Sequence, residues 1–179
     1  MSQQAHIQQL LAEAWSERRV GNYEESRKLV SKARELCKED DYNSLGRIFH
    51  IYMQFEYDHE KHAKALEFCQ QSLEYYRKTK NANKIAHSTR HIADLQRHLG
   101  HRNDSELNYQ KAIDIYRTSS DVSKLDLANA LRGYGLLLEN LGKIDDAIGV
   151  WEDVKELYST CDIQAGVDEA RDRLDSLGA

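Results

Sequence analysis

Residues 99–116 read LGHRNDSELNYQKAIDIY and residues 141–158 read LGKIDDAIGVWEDVKELY. Both open on Leu-Gly, pass through a polar turn to a small residue, and close on an aliphatic residue followed by Tyr. The small residues, Ser105 and Ala147, are 42 positions apart; stepping back 40 from Ser105 reaches Ala65, and 39 more reaches Ser26. Each starts the same stripe: Ser26, Val30, Ala33 and Leu36-Cys37; Ala65, Cys69, Ser72 and Tyr75-Tyr76; Ser105, Tyr109, Ala112 and Ile115-Tyr116; Ala147, Trp151, Val154 and Leu157-Tyr158. Steps of four, three and three keep to one face of a helix. Four copies in register define a helical repeat, and a fixed period of this size is the signature of stacked helix pairs.

A further helical stretch precedes each copy, over residues 4–20, 43–58, 82–99 and 123–141. The turns between the helices contain Gly21-Asn22, Gly100 and Gly142, and glycine ends a helix in the left-handed conformation without steric cost. The second turn, Asp58-His59-Glu60-Lys61-His62, has no glycine. Residues 162–177 carry Val167, Ala170, Leu174 and Leu177, an amphipathic helix of the kind that closes the open end of a stack. The expected fold is all-α: a right-handed α-α superhelix of four helix pairs, over residues 4–40, 43–80, 82–119 and 123–160, with a capping helix at 162–177, in one domain spanning 1–179. Met1 and the closing helix read as a whole protein.

The pattern resembles the tetratricopeptide repeat (TPR): a large residue, a large-small pair, another large residue, then a small residue and an aromatic after the turn. The fourth copy fits best, with Leu131, Tyr134-Gly135, Leu138, Ala147 and Trp151. The third has Ile92-Ala93, Ser105 and Tyr109; the first has Ala14, Ser26 and Val30; the second, with Tyr52-Met53, Ala65 and Cys69, fits least. The period of 39 to 42 exceeds the usual 34 or so, and the family's closing Pro is missing from every copy. Both features are similar to the longer-helix repeats of kinesin light chain.

Composition narrows the function. Hydrophobic residues make up 40% and charged residues 31%, as in a folded chain, and the absence of Pro with only nine Gly argues against a β-rich fold. The net charge of -5 argues against a nucleic-acid partner, which calls for a positive surplus. No apolar run approaches the ~20 residues that span a bilayer, and no signal peptide is visible, so no membrane partner and a cytoplasmic location are expected. Cys37, Cys69 and Cys161 form no CxxC pair, and Cys37 and Cys69 read as small buried hydrophobes. No phosphate-binding glycine loop and no nucleophile elbow occur, and His59-Glu60-Lys61-His62 is one residue too short for a zinc-protease motif. No enzyme activity and no cofactor are expected. The basic run Arg77-Lys78-Thr79-Lys80 reads as a solvated connector.

The resemblance implies that the first helices line a concave groove for a peptide. The repeat register assigns to it Gln8, Leu11, Trp15, Arg18 and Arg19; Arg47, His50, Gln54, Tyr57 and Asp58; His87, Arg90, Asp94, Arg97 and His98; and Asn129, Arg132, Leu136, Glu139 and Asn140. This set holds six Arg, no Lys and three acids, a formal charge of +3 on a chain of -5, so the remainder sums to -8. Arginine presents a planar fork that grips carboxylates bidentately, and Trp15 and Tyr57 offer flat apolar anchors. The expected partner is therefore another protein or an acidic peptide. The alternative role for these arginines is pairing with neighbours such as Asp58, Asp94 and Glu139. Some family members hold a terminal carboxylate in a clamp of Lys, Asn and Arg; Asn129 and Arg132 fall on the groove side, but Trp15 stands where that clamp wants Asn.

His87, His91, Asp94 and His98 fall on one stripe, which makes the three histidines weak metal candidates, since one helix presents only two ligands well. A second reading is a self-assembling homodimer, two copies pairing through Trp15 and Leu11 near the N-terminal end.

Overall fold

The structure, a computed structural model, describes residues 2–119 and 123–179; Met1, Ser120, Asp121 and Val122 lie outside them. Among the described residues all regular structure is helical: α1 (Gln3–Arg19), α2 (Tyr23–Leu36), α3 (Tyr42–Asp58), α4 (His62–Thr79), α5 (Ala82–His98), α6 (Arg102–Thr118), α7 (Lys124–Asn140), α8 (Ile144–Thr160) and α9 (Gln164–Leu177). Most of these helices are 17 residues long, so two of them and their turns account for the period of about 40. None is long and apolar enough to cross a membrane.

The helices gather into two compact units, Met1–Asn81 and Ala82–Ala179. In the first, α1 pairs with α2 and α3 with α4, and α3 also packs on α1 and α2. Its core holds Ile7, Leu10, Leu11, Ala14, Val30, Ala33, Ile48, Ile51 and Phe55. In the second, α5 pairs with α6 and α7 with α8, α7 packs on α5 and α6, and α9 covers α8. Its core is built on Tyr109, Tyr116, Leu131, Leu137, Leu138 and Trp151, closed by Val167, Ala170 and Leu174 of α9. Full burial of one such side chain stabilises by roughly 1.5–3 kcal/mol.

The small residues that define the repeat sit where paired helices touch. Ser26 Oγ donates to the Ala14 carbonyl, and Ser105 Oγ donates to the Ala93 carbonyl at 2.8 Å, each twelve residues back on the partner helix. These buried hydroxyls satisfy themselves on the neighbouring backbone, which a larger residue would push away. Gly135 does the same for the fourth pair: a Cβ there would stand 3.0 Å from the Trp151 indole.

The four turns share one geometry. In the second turn Glu60 N donates to Tyr57 O and Lys61 N to Glu56 O, as Gly100 N donates to Arg97 O and His101 N to Gln96 O in the third. The left-handed residue is Gly21, Gly100 or Gly142 in three turns and Glu60, at φ 58°, in the other. The motif without a glycine is thus the same helix-ending turn, with a side chain in the place where glycine costs nothing.

Candidate interaction surface

The first helices of each unit carry the residues that the repeat register assigned, and the structure brings some of them together. In the first unit, Arg18 on α1 donates from Nε and Nη2 to the two oxygens of Asp58 on α3, at 2.7 and 2.6 Å, and from Nη2 to Gln54 Oε1 at 2.9 Å. Its guanidinium also lies 4.8 Å from the Trp15 ring centroid, and Trp15 stacks on His50 at 6.0 Å and 28°. Aromatic face, guanidinium and carboxylate therefore form one fixed assembly across α1 and α3. Gln8 donates to Ser44 Oγ at 2.8 Å, which ties the same two helices at their other ends.

Arg19 is exposed and Arg47 half-buried, and among the described residues neither forms an ion pair. Tyr57 is 36% exposed, and its ring leans on His62 at 5.5 Å. Leu11 departs from the expectation. It is fully buried in the core, because α2 and α3 enclose that side of α1, so it lines no groove and offers no surface for pairing two copies.

The second unit places its arginines differently. Arg90 Nη1 donates to Asp94 Oδ2 at 3.0 Å, and Tyr109 OH donates to Asp94 Oδ1 at 2.5 Å. Burial and the adjacent Asp94 push the Tyr109 phenol far above its ordinary range, so it serves as a permanent donor. Arg97 Nε reaches the same Tyr109 oxygen at 3.4 Å. Arg132 grips Glu169 of α9 with two bonds of 2.6 Å, and this bonding holds its guanidinium protonated beyond its usual range. Asn129 accepts from Tyr158 OH at 2.7 Å. Glu139 accepts from Trp151 Nε1 at 2.7 Å and from Arg173 at 3.2 Å, not from a groove arginine.

The histidine stripe divides. Nε2 of His87 and His91 are 3.2 Å apart, and Arg90 Nη2 lies 2.9 Å from His91 Nε2. A guanidinium only donates, so His91 accepts there and carries its proton on Nδ1, which faces Asp94 at 3.7 Å. His87 Nδ1 faces Asp126 on α7 at 3.8 Å. His87 beside it holds Asp126 below the usual carboxylate range, aided by Ser123. His98 is exposed at the end of α5, about 10 Å along the axis from His91, and does not converge with the other two.

Reading the sequence missed Asp126, Glu169 and Arg173. The last two lie on α9, which is more than a cover: it behaves as one more first helix and supplies countercharges to α7. Its Gly166 packs against the Tyr158 ring of α8. Of the cysteines, Cys69 is buried, but Cys37 is half-buried at the end of α2, where burial and Asp41 push its thiol up to about 11. That thiol is a poor nucleophile at neutral pH.

No family model matches the chain, and no curated protein matches it. Solved structures do. BtubC (BKLC) from P. vanneervenii is similar over 97% of this chain and 80% of that one, at 14% identity and a TM-score of 0.69. The nearly identical TPR-like repeats of a Podosopora anserina protein assigned as a kinesin light chain align over 97% of this chain and 95% of that one, at 11% identity and a TM-score of 0.66. A singly substituted form of those repeats aligns over 99% and 95%, at 12% identity and a TM-score of 0.67. The chain thus has an all-α, TPR-like helical repeat fold.

Proposed function

We propose that this chain is a non-catalytic protein-interaction scaffold, and that the α1/α3 face of its first unit holds an acidic segment of another protein. One observation carries the reading: Arg19 and Arg47 have no carboxylate partner among the described residues, on a face whose floor, Trp15 with Arg18 and His50, is already fixed. Arg90 and Arg132 of the second unit are weaker candidates, since Asp94 and Glu169 occupy them. An incoming carboxylate would have to displace these partners, whereas Arg19 and Arg47 have no carboxylate to displace.

The test is titration of an Asp/Glu-rich peptide against the wild-type chain and the Arg19→Glu/Arg47→Glu variant. The expected result is a loss of affinity of at least tenfold in that variant and a smaller change in Arg132→Glu. Equal affinity in wild type and the double variant would remove the acidic-segment reading.

A further inference from the structure

Helices α4 and α8, the last second helix of each unit, carry opposite chemistry at the same repeat positions. On α4 the outer stripe is Lys64, Phe68, Gln71, Tyr75 and Lys78, with the lysines and Gln71 exposed and both rings half-buried. The rings continue into α3. Phe49 stacks on Tyr75 at 5.4 Å and 14°, and Tyr52 lies 5.5 Å from Phe68. Lys78 Nζ stands 5.4 Å from the Tyr75 centroid and 4.8 Å from that of Tyr42, and Lys64 Nζ stands 5.9 Å from Phe68. The basic run read as a solvated connector therefore ends α4 and flanks an aromatic floor. The stripe contains no carboxylate. Lys64 shares Glu56 at 3.7 Å, and Lys78 forms no ion pair among the described residues.

Eighty-two residues on, the same positions of α8 are Asp146, Val150, Asp153, Leu157 and Thr160. Both carboxylates are exposed and both aliphatics half-buried. Asp146 forms no ion pair among the described residues. Asp153 meets Arg117 at 3.1 Å, but both are more than half exposed, and such pairs contribute little. The wider charge follows suit. Residues 1–81 hold 13 Lys and Arg against 13 Asp and Glu, and residues 82–179 hold 12 against 17, so the whole net charge of -5 lies in the second unit.

We propose that the α4 stripe of one copy docks on the α8 stripe of a second copy. The two stripes have the same spacing, and their centres match in either direction of approach. Parallel or antiparallel, Asp146 meets a lysine, Asp153 meets Gln71, and Val150 and Leu157 meet the two rings. Burial of the rings supplies the affinity, and the charges set register and encounter rate. The faces are unlike, so the contact is heterologous and each copy keeps one free face for further growth. Neither stripe belongs to the α1/α3 face, so this association stands apart from acidic-segment binding there.

Light scattering across protein and salt concentration tests it. Wild type should show a mass above one protomer that rises with concentration and falls with salt. Lys64→Glu/Lys78→Glu and Asp146→Lys/Asp153→Lys should each be monomeric, with unchanged far-UV circular dichroism. Mixed in equal amounts, they should associate again, because each retains one wild-type face and the two reversed faces are complementary to each other. Should a double variant fail to fold, Lys78→Glu and Asp146→Lys, both at exposed sites, carry the same comparison. A wild type that stays monomeric at its highest soluble concentration, even if it binds an acidic peptide at α4, overturns the proposal. So does a variant that associates like wild type, or a mixture that stays monomeric.

Discussion

Arg18 on α1 and Asp58 on α3 are forty residues apart and share two hydrogen bonds of 2.7 and 2.6 Å, with side chains 13% and 18% exposed. A bidentate pair at that depth is a fastener between helices before it is a ligand site. Asp58→Ala leaves the guanidinium with Gln54 and the Trp15 face alone. The expected result is a loss of about 1–3 kcal/mol in urea unfolding. The same variant should bind an acidic peptide more tightly than wild type, since Arg18 is released to it.

Glu60 occupies a left-handed backbone position that glycine takes in the other three turns. Holding a side chain there costs roughly 1–2 kcal/mol. Glu60→Gly should therefore raise stability by about 1 kcal/mol, less what the more flexible unfolded chain takes back. A higher urea midpoint at unchanged slope would show it.

Two glycines inside helices should respond to alanine with opposite signs. A Cβ on Gly46 would stand 2.5 Å from the buried Tyr76 ring, while one on Gly149 meets nothing within 4 Å. Gly46→Ala is expected to cost about 1–3 kcal/mol through overpacking. Gly149→Ala should stabilise α8 by about 0.5–1 kcal/mol through helix propensity. Thermal unfolding of the two variants separates them.

Asp126 has a folded-state pKa below the ordinary 3.8, chiefly through the neighbouring His87. In the window between the folded and unfolded values, the unfolded chain binds more protons, so stability rises with pH. The contribution is complete above about pH 4 and is lost as pH falls through the folded value. Asp126→Asn should flatten the acid limb of the stability curve below about pH 4, measured by urea midpoints at successive pH values.

Much of the fold was legible because repetition multiplies weak signals. Ser26, Ala65, Ser105 and Ala147 are unremarkable singly; at steps of 39 to 42 they fix the register of every helix pair. The same register carried Trp15, Arg18, Gln54 and Asp58 to one face, where the structure joins them. It misjudged Leu11, since a stripe read on α1 alone does not reveal how far α2 and α3 wrap around it. It also could not distinguish an arginine that is free from one that is held. Arg132 and Arg19 look alike in the sequence, yet Glu169, thirty-seven residues beyond Arg132, makes the difference.

By itself the sequence determined the all-α repeat, its long period and the turn positions, because these depend on local periodicity and on which residues tolerate a close helix contact. The tertiary structure alone decided which charges are spent inside the fold and which remain outward. That depends on pairs such as Arg18 with Asp58 and Arg132 with Glu169, whose partners meet only after the helices have packed.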